Sequence, residues 1–150
     1  MAAIDYSGVE DQLKTILEAA ATMAGVRVYI EEEPQFGMMD HQKAVSIFLH
    51  SRTPSAGQSL SAGKRTRYDV RYSLWCTFFS LESFKIACAG RDALLGAVEL
   101  VLMADRTIGG KVNSSWLEGG QFLSARDEGV GVYVASAETI LVANASAITT

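Results

Sequence analysis

Hydrophobic residues recur with a helical period in two parts of the chain and with a period of two elsewhere. In residues 8–24, apolar side chains return at three- and four-residue spacing, which predicts a first helix. Ser7 and Glu10 have the spacing of a capping box at its start. A second helical stripe, in a segment rich in alanine, leucine and glutamate, predicts a helix over residues 81–104.

The alternating segments predict the strands. Residues 26–30 alternate apolar and polar side chains, and the apolar, β-branched content of residues 44–50 is typical of a central strand. The longest signal is in residues 68–78, where tyrosines and aliphatic residues fall on one face and polar residues fall largely on the other. A last long strand is expected over residues 130–142, with a bend or bulge near Ser136.

Residues 51–66, SRTPSAGQSLSAGKRT, interrupt this pattern with one leucine among small and polar residues. They hold too little apolar surface to offset the entropy of ordering, so a long loop is predicted between two strands that pair as a hairpin. Loops of this length in small domains are usually functional or disordered. The order of elements predicts one α+β domain over residues 1–150, with a mostly antiparallel sheet and two helices packed on one face.

Composition limits the function classes. With 49% hydrophobic and 20% charged residues in 150, the chain has the composition of a single globular domain that needs no disulfide from its two cysteines. No apolar run approaches the ~20 residues that span a bilayer, and the first residues do not resemble a secretory signal, so we expect no membrane partner and a cytoplasmic origin. A net charge of −4 with one basic cluster around Lys64, Arg65, Arg67 and Arg71 argues against sequence-specific nucleic-acid binding.

Motifs that suggest catalysis fail in detail. Gly57–Lys64 differs from a phosphate-binding loop in glycine spacing, and Arg65 stands where the magnesium-binding hydroxyl belongs. Ser61 has SxxK spacing but lacks the partner motifs of that enzyme class. His41 and His50 lack a third metal ligand at diagnostic spacing. We therefore predict that the protein is not an enzyme and uses no cofactor and no metal.

Several segments taken in order resemble the tail-terminator (tail-completion) family of long-tailed bacteriophages. The segments are AVELVLMADRTIGGKV after Gly96, WLEGG at Trp116–Gly120, GVYVASAETILV at Gly131–Val142, and YDVRYSLWCTFF in the front half. The resemblance implies a structural virion protein that forms a hexameric ring on the tail tube, ends its polymerisation and connects to the head-completion protein. It also implies a place at the neck end of the tail after assembly in the host cytoplasm, and it carries no catalytic residues.

The partner-binding candidates come from the predicted loop rather than from the family. Arg52, Lys64, Arg65 and Arg67 lie in or beside the loop, where cationic side chains are expected to pair with acidic groups on a partner as the loop orders. Two alternatives stay open: another ring protein of the neck or tail, such as a head-completion or tube subunit, or a small-molecule-binding α+β domain.

Overall fold

One mixed sheet and two α-helices make up the computed structural model, which describes residues 4–34, 42–55, 65–129 and 132–148. A short 3₁₀ helix, Ala21–Met23, joins the first helix to the sheet. The elements in chain order are α1 Tyr6–Ala19, β1 Val26–Ile30, β2 Lys43–Pro54, β3 Arg65–Ser80, α2 Phe84–Ala104, β4 Ser114–Gly119, β5 Phe122–Gly129 and β6 Val132–Ile148.

The sheet is built around β3, which pairs antiparallel with β2 on one side and with β6 on the other. β1 continues the sheet beside β2 as a parallel strand, while β4 and β5 both pair antiparallel with the outer edge of β6. The prediction of an α+β fold with a mostly antiparallel sheet is confirmed, and so is the predicted hairpin of β2 and β3.

The two faces of the sheet differ in what covers them. Both helices pack on the face formed by Val70, Tyr72, Leu74 and Cys76 of β3, which are almost completely buried. The other face, here called the helix-free face, carries the intervening β3 residues, from Asp69 to Phe79. The alternation in the sequence thus placed the core side of β3 correctly, because successive side chains in a strand point to opposite faces.

The start of α1 differs from the predicted capping box. Asp5 is the N-cap and its Oδ1 accepts the Gly8 N–H at 3.0 Å, while Ser7 donates to the same carboxylate. Glu10 is only 4% exposed and does not cap the helix. Aspartate caps a helix as well as serine does, and Asp5 satisfies the free Gly8 amide two residues before the predicted cap at Ser7.

Residues 51–54 and 65–66 belong to strands, so the predicted loop 51–66 is wrong at both ends. Backbone pairing with β3 and β6 holds these polar residues in the sheet, with one irregularity between Leu49 and Ser51. Strand formation here depends on main-chain hydrogen bonds to neighbours distant in sequence, which apolar content does not reveal. Residues 56–64 of that loop lie outside the described residues.

The last strand is longer than predicted, and its pairing with β3 keeps one register along its described length. Near Ser136, where a bend or bulge was expected, the pairing with β5 shifts between Leu123, opposite Ser136, and Arg126, opposite Val134. Two further shifts lie between Asp127 and Gly129 of β5 and between Leu117 and Gly119 of β4. The short strands β4 and β5 share the long strand β6 as their partner, so the shifts in register occur in the short strands.

Two carboxyl groups meet where α1 crosses the end of β1. Glu31 has a left-handed backbone (φ 56°), and its Oε1 accepts the Leu49 N–H at 2.7 Å. Burial, followed by a hydrogen bond to Glu31 and repulsion from Glu31 and Asp11, together raise the pKa of Glu10 to about 7. When it is protonated, the Glu10 carboxyl can donate to the Glu31 carboxylate across this junction, while Glu10 Oε2 is buried with no hydrogen-bond partner among the described residues.

This pair predicts a stability that falls with rising pH. A carboxyl whose pKa is higher in the folded state than in the unfolded state binds more protons when the protein is folded. Its contribution to the unfolding free energy is therefore full below about pH 4.5 and is lost as the pH rises to about 7. Glu10→Gln, which keeps a donor without the charge, should raise the unfolding free energy by about 1–2 kcal/mol at pH 8 and change it little at pH 4.5. Urea unfolding at both pH values tests this, with the exposed Glu18→Gln on the same helix as control. An equal effect of Glu10→Gln at both pH values would contradict it.

Candidate partner-binding surface

The candidate surface is the distal half of the β2–β3 hairpin, residues 49–55 and 67–72, here called the arm. β6 pairs with β3 along the whole arm, and the Ser55 N–H donates to the Arg67 carbonyl at 3.0 Å beyond the last strand residue of β2. The arm is therefore three strands wide, so it can present side chains in fixed positions.

The Arg52 side chain is exposed on β2 and also makes contacts within the molecule. Its Nη1 donates to the Tyr6 hydroxyl at 2.7 Å, and its guanidinium lies 5.9 Å from the Tyr6 ring centroid and 4.8 Å from that of Tyr68. The two rings come from α1 and from β3, so the cation joins the first helix to the arm through a hydrogen bond and cation–π attraction.

The other predicted site residues are placed differently. Arg67 is exposed on β3 and stands opposite Ser146 of β6, on the helix-free face, whereas Arg52 stands opposite Val70 on the helix side. The two arginines therefore do not form one cluster. Arg65 is the first residue of β3, and Lys64 lies outside the described residues.

A ladder of polar side chains, which no local pattern in the sequence predicts, crosses the arm on its helix-free face. Asn144 Nδ2 donates to Ser55 Oγ at 2.7 Å and to Asp69 Oδ1 at 2.9 Å. On the other side, Asn113 donates to Asn144 Oδ1 at 3.0 Å and to Ser146 Oγ at 2.8 Å. The ladder connects the end of β2 to the segment that leads into β4, across β3 and β6.

An ion pair borders the ladder. The Arg71 guanidinium donates to both carboxylate oxygens of Glu118, at 2.9 and 3.2 Å, and to Thr53 Oγ1 at 3.4 Å. The hydrogen bond to Glu118 raises the pKa of Arg71. Both side chains are partly exposed, so the pair orients β4 relative to β3 more than it adds stability.

The described residues contain no set of three metal-ligating side chains, and no described helix is long and apolar enough to cross a membrane. His50 is exposed on β2, while His41 and Ser61 lie outside the described residues. Cys76 is fully buried, and burial raises the pKa of its thiol to about 12, so it remains protonated and unreactive. In the part of the chain that the structure describes, the candidate site is therefore the surface of the arm, with its polar ladder and the ion pair of Arg71 and Glu118.

Asn144→Ala should loosen the arm, because it removes the amide that donates hydrogen bonds to both Asp69 and Ser55. We expect a loss of about 1–2 kcal/mol in unfolding free energy and faster hydrogen exchange at the Ser55 amide. Arg67→Ala, an exposed change on the same arm, is the control and should alter neither. Equal exchange in both variants would show that the ladder does not hold the arm.

No protein-family profile and no curated protein sequence matches the chain. Among solved structures, the fold is similar to that of the sheath/tube terminator of an extracellular contractile injection system, PVC, in its extended state, determined by cryo-EM. The TM-score is 0.50 at 12% identity, and the match covers 100% of this chain and 61% of the terminator. The chain thus spans about three fifths of that protein's length, and the likeness shows a tail-terminator-like fold.

Proposed function

We propose that this protein is a structural subunit that caps a tail tube and ends its polymerisation. The observation that carries the proposal is the match of the whole chain to the fold of a sheath/tube terminator. The sequence resemblance to phage tail terminators supports the same role. It rests on several segments from both halves of the chain.

The proposed assembly is a ring of six copies at the neck end of a phage tail, formed in the host cytoplasm. A ring closed by rotation needs two different surfaces on each subunit, one for each neighbour. One end of the ring binds the tube protein and the other binds a head-completion or neck protein. This role uses surfaces instead of reacting groups, so we propose that the protein is not an enzyme.

Within this proposal, the arm binds the tube or a neighbour. Arg67 lies exposed on a three-stranded support, and Lys64 and Arg65 are close to it in sequence. Cations at this end favour an acidic partner surface, with which guanidinium groups form bidentate bonds. Arg52 has a different part, since its contacts with Tyr6 and Tyr68 fix the arm relative to α1.

Tails made without this protein should grow past their normal length, and adding purified protein during assembly should restore a uniform length. Electron micrographs of negatively stained tails measure this directly. Arg67→Glu should reduce the capping activity at least tenfold, whereas Arg106→Glu, an exposed arginine after α2, should leave it unchanged. Tails of normal length that fail to join heads would instead favour the head-completion alternative, and normal particles would refute both.

A further inference from the structure

Arg52 differs from two other oriented arginines in how its charge is balanced. Glu118 accepts two hydrogen bonds from Arg71, at 2.9 and 3.2 Å. Asp92 accepts one from Arg91 at 3.0 Å. Among the described residues no carboxylate pairs with Arg52, whose side chain is exposed. Its positive charge is therefore held in place without being neutralised by the described part of the subunit.

Two tyrosines fix the orientation of the Arg52 guanidinium. It lies over the rings of Tyr6 and Tyr68, at 5.9 and 4.8 Å from their centroids, and Nη1 donates to the Tyr6 hydroxyl at 2.7 Å. Tyr6 is itself held, because its main-chain carbonyl accepts the Tyr72 hydroxyl at 3.3 Å. The other N–H groups of the guanidinium have no acceptor among the described residues, so they remain free to bind a further group.

The Tyr6 hydroxyl adds a second donor at the same place. A phenol that accepts a hydrogen bond keeps its own proton to donate, and no described residue accepts that proton. The guanidinium and the hydroxyl can therefore donate to one anion together. These two groups, with the Tyr68 ring beside them, are here called the arginine–tyrosine fork.

A carboxylate suits the arginine–tyrosine fork better than the phosphates of a nucleic acid do. A planar guanidinium binds one carboxylate through two parallel N–H···O bonds. A nucleic-acid strand needs several cations along one surface, whereas Arg52 and Arg67 lie on opposite faces of the arm. The net charge of −4 also repels an extended polyanion.

We propose that the arginine–tyrosine fork binds an aspartate or glutamate side chain of a partner protein. The inference rests on the proposed function and adds a contact on the helix side of the arm, separate from Arg67. Because the guanidinium is already oriented, binding costs less conformational entropy than it would for a freely rotating arginine. The contacts that fix the arm to α1 thus also prepare Arg52 for a partner.

Binding of a hexaglutamate peptide, with hexaglutamine as the neutral control, tests the arginine–tyrosine fork. NMR shifts of the Tyr68 ring, which every variant retains, measure binding, and thermal unfolding verifies the fold. We expect a saturable shift with hexaglutamate and roughly tenfold weaker binding in Arg52→Gln. Arg52→Lys, which keeps the charge without the planar fork, and Tyr6→Phe, which removes only the hydroxyl, should each bind roughly threefold more weakly. Arg106→Gln removes an exposed arginine elsewhere and should bind as the unmodified protein does.

Three results would overturn the proposal: no saturable shift with hexaglutamate, equal binding of hexaglutamine, or unchanged affinity in Arg52→Gln. Tighter binding of a single-stranded oligothymidylate than of hexaglutamate would also overturn it, in favour of a nucleic-acid contact. Tail length separates this inference from the proposed function. Normal capping by Arg52→Gln refutes the contact alone, and the expected peptide binding by a protein that caps no tails refutes the function alone.

Discussion

The pairing of β3 with β6 supports every other part of this structure. It runs without interruption from Arg65 opposite Ile148 to Ser80 opposite Tyr133, so it spans both the core and the arm. At one end it buries Leu74 and Cys76 beneath α2, and at the other it holds polar residues in extended conformation that would not form a strand alone. Main-chain hydrogen bonds that continue from the core into the arm explain how a polar segment becomes a rigid support.

The two faces of the sheet that this pairing forms differ in what covers them. Two helices cover one face, while the helix-free face carries large side chains such as Trp116 beside the ion pair of Arg71 and Glu118. The helix that covers the core is itself apolar toward solvent at Leu100 and Met103. Large apolar side chains therefore remain exposed on both sides of this sheet, Trp116 on one side and Leu100 on the other.

Charged side chains in this fold mainly fix the positions of its helices and strands relative to one another. Arg52 joins α1 to the arm through Tyr6 and Tyr68, and Glu31 closes the end of β1 on the Leu49 amide. In the sequence, Arg52 stands beside predicted loop residues, which favours a contact with a partner. In the structure, its exposed side chain also lies against two aromatic rings of the same subunit.

The sequence by itself determined the α+β class, both helices, the β2–β3 hairpin and the core face of β3, because these depend on local periodicity and on the burial of apolar side chains. It did not determine the strand ends at residues 51–54 and 65–66, the Asp5 cap, the continuous register of β6 with β3, or the Asn144 ladder. These were decided by tertiary structure, since each depends on a hydrogen-bond partner whose position local patterns do not specify. The same reason places Arg52 and Arg67 on opposite faces of one arm, although both were selected from one stretch of sequence.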